Sequence, residues 1–292
     1  MRLLPALLAA VACLSLGACQ TKPKEEETQK LAFAGERANL PKPDVMSFPG
    51  PRGSLAGRTI RVSSPSDLIL AKNEVVLTFD DGPVPGKTPA ILAALDRAGV
   101  KATFLMVGQM ARSYPALVRE VAARGHTIGT HTQDHKNLAG IGFDAAIAQI
   151  EAGRRSVEAA LGPSRNRASG LFRFPYLAET AALRKHLAAH GMVPIGVTVD
   201  SKDYFVSSPD QVRSRTLATL SARGSGIILF HDLHKRTADM LPAFLSDLHA
   251  RGFKVVHLVP ASRAAESLIV AALSGDDLPA SNDLPVLAYA PF

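Results

Sequence analysis

Residues 74–83 read Glu-Val-Val-Leu-Thr-Phe-Asp-Asp-Gly-Pro. The run 75–79 is apolar and β-rich, and Asp80-Asp81-Gly82-Pro83 closes it with residues that favour turns. Working outward, the same unit recurs. Residues 88–98 carry helical spacing at Ile91, Leu92 and Leu95 and stop at Gly99. Further strands are predicted over 102–107, 127–130, 171–174, 193–199, 226–230 and 254–258. Helices are predicted over 115–124, 143–161, 181–190, 209–222 and 238–250, most of them closed by a glycine. Phe143, Ile147, Ile150, Val157 and Leu161 form the predicted apolar face of the longest helix. Seven strands separated by six helices argue for parallel strands with right-handed crossovers. An open doubly wound sheet and a closed barrel both fit that count.

Composition agrees with one such domain. The chain has 292 residues, 47% of them hydrophobic and 20% charged, enough to bury a core. The net charge of +7 is mildly basic, with no polybasic tract. The composition excludes a disulfide scaffold, a collagen-like chain and a multi-span membrane protein. The two cysteines are Cys13 and Cys19, both near the start.

Residues 1–18 read as a signal peptide: Arg2 precedes an apolar run too short for a comfortable membrane span. Leu16-Gly17-Ala18-Cys19 resembles a bacterial lipobox, so Cys19 is the expected lipidated first residue of the mature chain. An ordinary cleavage near Ala18 is the alternative. Residues 19–72 are charged, then rich in proline and glycine, and read as a tether and lead-in with a short strand possible over 59–62. A domain over 73–260 and a tail over 261–292, with one more helix near 264–273, complete the expected organisation. The resulting location is the bacterial envelope, on the periplasmic face of the outer membrane in a host with two membranes.

Polar residues gather at the carboxyl ends of the predicted strands: Asp80 and Asp81, His131, Arg173 to Tyr176, Asp200 and Asp203, then His231 and Asp232. Parallel α/β folds place their sites there. His131 and His135 are four apart, and on one helical turn both rings would reach one ion. A nearby carboxylate, Asp80 or Asp81, would complete a two-His, one-carboxylate site. Adjacent residues at a strand end point apart, so one carboxylate can bind metal while the other takes a proton. Taken alone, Asp-Asp-Gly-Pro reads equally well as a plain turn.

Thr78-Phe79-Asp80-Asp81-Gly82-Pro83, His131-Thr132-Gln133-Asp134-His135 and Arg173-Phe174-Pro175-Tyr176 resemble the first three motifs of the polysaccharide deacetylases. This is carbohydrate esterase family four, the NodB-homology domain. Asp200-Ser201-Lys202-Asp203-Tyr204 resembles the fourth motif and Leu229-Phe230-His231 the fifth, in the family's order and spacing. The resemblance covers residues 74–260. It implies a distorted (β/α) barrel with about seven parallel strands. It also implies that Asp81, His131 and His135 bind a divalent metal, usually zinc, with cobalt or nickel as alternatives. Asp80 is then the general base, and Arg173 holds it ionised. The Tyr176 backbone N–H helps stabilise the oxyanion. His231 protonates the departing amine, and Asp200 orients His231 and keeps it charged. Leu229 lines the pocket for the acetyl methyl, and Thr132 braces the loop between the metal ligands. Tyr204 stands where the family usually has Trp, at the groove wall.

The implied activity is removal of N-acetyl groups from N-acetylglucosamine-containing glycans, with peptidoglycan the leading substrate and chitooligosaccharide next. Hydrolysis of another amide or of an O-acetyl ester such as acetylxylan is an alternative. A non-catalytic, sugar-binding envelope lipoprotein is another. The expected partners are an N-acetylated glycan and the membrane through Cys19, with no nucleic acid.

Overall fold

The computed structural model describes residues 53–162 and 168–261. The signal peptide, Cys19, most of the tether and the C-terminal tail with its expected helix lie outside the described residues.

Among the described residues nine strands form one sheet: β1 (Ala56–Val62), β2 (Glu74–Asp80), β3 (Thr103–Met106), β4 (Thr127–Thr130), β5 (Leu171–Phe172), β6 (Val193–Pro194), β7 (Val199–Asp200), β8 (Gly226–His231) and β9 (Lys254–Pro260). The helices are α1 (Lys87–Arg97), α2 (Gly108–Ser113), α3 (Pro115–Ala123), α4 (Phe143–Leu161), α5 (Ala181–Ala189), α6 (Pro209–Arg223) and α7 (Lys235–Ala250). Every strand pair is parallel. The main order is β1-β9-β2-β3-β4-β5-β6, and β2 also pairs with β8, which pairs with β7. From β6 through β2 to β7 the sheet therefore begins and ends on one short segment, residues 193–200. That is the parallel α/β order expected of a distorted barrel.

Three features depart from the sequence expectation. The strand expected over 193–199 is two, β6 and β7. Arg173 explains the break: its guanidinium takes the Ile195 and Gly196 carbonyls, which a continuous strand would give to a neighbour. The second departure is where the sheet begins: the short strand expected over 59–62 forms as β1, which runs from Ala56 and pairs along β9, ahead of residue 73. The third is α2, hidden by the glycine at its start. A Cβ at Gly108 would lie 2.8 Å from Gly153 Cα, so this helix needs glycine to pack closely on α4. The apolar face of α4 also shifts. Ile150, Val157 and Leu161 are buried, but Phe143 is 46% exposed.

Alternation along β2 sorts the two sides of the sheet. Val75, Leu77 and Phe79 face the helices and are fully buried. Phe79 stacks between Phe104 at 5.1 Å and Phe230 at 5.7 Å. Each such side chain contributes roughly 1.5–3 kcal/mol by leaving water. Val76 packs on the opposite side with Leu105, Leu171, Ile195 and Ile227. Thr78 and Asp80 continue that inner row, so the first carboxylate is carried inward by the strand itself.

Candidate active site

Inward-facing Asp80 meets Arg173 at the end of β5. Both are buried, at 2% and 1% exposure. Arg173 Nη1 donates to Asp80 Oδ1 at 2.7 Å and to Thr78 Oγ1 at 2.7 Å. Its Nε and Nη2 donate to Ile195 O and Gly196 O. A buried ion pair is tolerable only with its remaining hydrogen bonds made, and here the guanidinium is met on every side.

Asp81 turns the other way. Its φ of 78° takes the chain out of the strand, and its Oδ1 lies 3.5 Å from His131 Nε2 and 3.3 Å from His135 Nε2. The His131 Nδ1 meets the Arg173 backbone carbonyl at 2.7 Å, which turns Nε2 toward Asp81. The expectation of a helical turn for the two histidines is not met. Thr132 and His135 both have positive φ, and residues 131–137 form a loop. Thr132 Oγ1 accepts from the His135 N–H at 3.1 Å across this loop. Gly108 N and Gln109 N add bonds to the carbonyls of Thr132 and Gln133. The loop lies against α4 so closely that a Cβ at Gly153 would meet Thr132 C at 2.4 Å.

The donor set fits a divalent ion. Bonds of 2.0–2.2 Å in a tetrahedron put neighbouring donors about 3.4 Å apart, close to the observed 3.3 and 3.5 Å. Asp81 Oδ1 is buried without a hydrogen-bond partner, an orphaned acceptor that a cation satisfies. Burial lowers the His131 pKa against the pull of Asp80 and Asp81, favouring the neutral imidazole a metal requires.

His231, at the end of β8, faces the same space, its Nε2 4.0 Å from Asp81 Oδ2. Here the structure corrects the sequence expectation. The residue on His231 Nδ1 is Asp203, at 2.7 Å, and not Asp200. Asp203 is fully buried and also accepts from the His231 N–H and the Thr237 hydroxyl. Asp200 instead accepts from Lys202 N and from the Tyr204 hydroxyl at 2.9 Å. The chain turns between them through Lys202 at φ 55°, aiming Asp203 inward and leaving Asp200 on the rim. Burial alone would lower the His231 pKa. The hydrogen bond and charge of Asp203, with Asp80 and Asp81 behind, outweigh it and push the ring up to about 9. Burial would likewise raise Asp203, but His231 holds its carboxyl below the usual range.

Leu229 lies two residues before His231 on the same strand face and is 6% exposed. Tyr176, at φ 58°, stands 68% exposed with its ring 4.7 Å from that of His135. Tyr204 stands edge-on to His231 at 5.5 Å. Burial, then the bond to Asp200, pushes its phenol up to about 12. Six of the seven non-glycine residues with positive φ among the described residues lie in these loops: Asp81, Thr132, His135, Tyr176, Leu177 and Lys202. Such backbone persists only where the surroundings over-determine it, and it clusters at functional sites.

Sequence reasoning gave Asp232 no role. It is 1% exposed and accepts from the Thr88 hydroxyl at 2.6 Å, and that hydroxyl in turn receives the Val84 N–H. Its carboxyl lies under the 80–84 turn, where a Cβ at Gly82 would come within 2.1 Å of both oxygens. Burial pushes it up to about 7. Only its place after His231 hinted at this.

The sequence profile of the polysaccharide deacetylase family matches residues 69–195. A chitooligosaccharide deacetylase of Azorhizobium caulinodans is 32% identical over 161 residues, 55% of this chain and 74% of that protein. A peptidoglycan-N-acetylglucosamine deacetylase of Listeria monocytogenes is 33% identical over 185 residues, 62% of this chain but 37% of that protein. Among solved structures, a peptidoglycan deacetylase of Bdellovibrio bacteriovorus superposes with a TM-score of 0.62 at 34% identity, covering 74% of this chain and 59% of that one. The parallel α/β sheet, with its residues converging at the strand ends, thus defines a NodB-type domain. The chain belongs to the polysaccharide deacetylase family.

Proposed function

We propose that this protein is a metal-dependent N-deacetylase of N-acetylglucosamine-containing glycans, peptidoglycan first and chitooligosaccharide second. One observation carries the reading: Asp80, fixed by Arg173, and His231, fixed by Asp203, are register partners at the ends of β2 and β8, beside the Asp81, His131 and His135 donor set. A bound divalent ion, zinc before cobalt or nickel, would polarise the acyl oxygen and make hydroxide available near neutral pH.

The chain's own residues do the rest. Arg173 occupies Asp80 Oδ1, leaving Oδ2 to take a proton from the attacking water. The water oxygen adds to the acetyl carbon as that proton leaves. The Tyr176 backbone N–H donates to the oxyanion, and Leu229 packs on the acetyl methyl. The C–N bond then breaks as His231 Nε2 gives its proton to the nitrogen, releasing acetate and a free amine. Asp203 holds Nδ1 and keeps the ring charged for that step. An amine cannot leave as an anion, whereas an ester alkoxide leaves more readily. The strongly basic His231 therefore favours an amide over an O-acetyl ester. It also argues against a non-catalytic sugar binder, which needs neither a base nor an acid.

Purified protein loaded with zinc is expected to release acetate from N-acetylglucosamine oligomers or peptidoglycan. No acetate from any such polymer would sink the reading. We further propose export through residues 1–18 and lipid anchoring at Cys19 to the bacterial envelope. Palmitate labelling is expected in the wild type and absent in Cys19→Ala; labelling that survives would rule out the anchor.

A further inference from the structure

The segment between β7 and α6 holds three apolar side chains out in water: Tyr204 at 44% exposure, Phe205 at 57% and Val206 at 98%. Three successive exposed apolar side chains beside a site are a candidate ligand-binding surface. The backbone beneath it is fixed. Arg215 of α6 donates to Ser201 O and Lys202 O, each at 2.6 Å, and to Ser207 Oγ at 3.1 Å. Arg236 of α7 donates to Asp203 O at 2.9 Å and to Phe205 O. Phe205 N closes the turn onto Lys202 O. Two guanidinium groups thus hold the carbonyls of four residues in this segment. A rigid aromatic platform loses little freedom when a ligand lands on it.

The platform touches the site through Tyr204. The Tyr204 ring stands 5.5 Å from that of His231 and 4.6 Å from the Phe205 ring, so Tyr204 links Phe205 to the acid. Phe205 carries no hydroxyl or charge, so its ring recognises an apolar face and not a hydrogen-bonding rim. A pyranose presents such a face, formed by its axial C–H bonds, with its hydroxyls around the edge.

We propose that Phe205 is a stacking subsite for a second pyranose, the chain neighbour of the sugar being deacetylated on the His231 side. It sets the preference for longer glycans over short ones. The assignment rests on the glycan reading above. Two variants test it. Phe205→Ala is expected to lower the ratio of kcat/KM for an N-acetylglucosamine pentamer to that for the dimer by about tenfold, mainly through KM. Phe205→Trp places a fluorophore at the subsite of a protein with no tryptophan of its own. Its emission is expected to shift on titration with pentamer and not with the monosaccharide.

An unchanged length ratio in Phe205→Ala, with Trp emission blind to pentamer, overturns the subsite. If the parent protein still releases acetate, the deacetylase reading survives that result. An emission shift with pentamer in a protein that releases no acetate from any oligomer upholds the subsite and overturns the deacetylase reading.

Discussion

His131 follows β4 and His231 ends β8, with β3 and β2 between them in one sheet; both lie beside carboxylates, and their pKa values shift in opposite directions. Burial wins at His131 and lowers it; at His231 the acidic partner wins and pushes it up to about 9. The difference lies on Nδ1. A neutral backbone carbonyl, that of Arg173, meets the His131 ring, while an ionised and buried carboxylate, Asp203, meets the His231 ring. The element facing Nδ1 decides whether an imidazole is a neutral ligand or a stored proton.

The hardest way to break this contrast is to remove the base that both rings face. Asp80→Asn is expected to cut acetate release by about 10³-fold or more while bound zinc, measured by metal analysis, is retained. Lost zinc would place Asp80 among the ligands instead. Next comes Asp203→Asn, which makes the Nδ1 partner of His231 neutral, as it is at His131. A fall in kcat of about 10²-fold at pH 8 is expected. The alkaline limb of the pH profile should move down toward neutrality, and a limb that stays put would separate His231 from the acid step.

The same pair has a stability signature. A pKa raised from 6.5 to about 9 corresponds to about 3 kcal/mol favouring the folded state. Because the folded value lies above the unfolded one, that contribution is fully present below about pH 6.5. It fades as pH rises through about 9. In metal-free protein the Tm gap between wild type and Asp203→Asn is expected to be widest near pH 5–6 and to narrow toward pH 9. A gap that widens with pH would reverse the sign.

A smaller effect tests what lies between the rings. Gly82→Ala drives a Cβ into the Asp232 carboxyl and displaces the turn that carries Asp80 and Asp81. A loss of about 1–3 kcal/mol is expected in denaturant unfolding, with weaker zinc retention in a chelator competition. Smallest is Tyr204→Phe, which removes the bond to Asp200 and leaves Asp203 on His231. About 1 kcal/mol is expected, with the alkaline limb unmoved.

Much of this was legible in the residues. The alternation of apolar runs and glycine-closed helices fixes the parallel α/β class, and α4 matches its predicted span. The inward row Val76, Thr78, Asp80 follows from the two-residue period of a strand. Other features depend on contacts that no local pattern encodes. The division of 193–199 into β6 and β7 follows from a guanidinium arriving from residue 173. The choice of Asp203 over Asp200 turns on a left-handed Lys202, and lysine gives no composition signal for that conformation. The i and i+4 spacing of His131 and His135 fits a helix that brings both rings to one ion. Two positive φ values achieve it by another route.

One residue joins the two halves of the cleft. The Arg173 side chain grips Asp80, and its main-chain carbonyl grips His131. Every substitution at position 173 keeps that carbonyl. Alanine scanning will therefore register Arg173 as a partner of the base alone, and its hold on the metal side will escape side-chain mutagenesis. Replacing the amide that contains this carbonyl, by an ester or thioamide at the bond between residues 173 and 174, is the modification that reaches it.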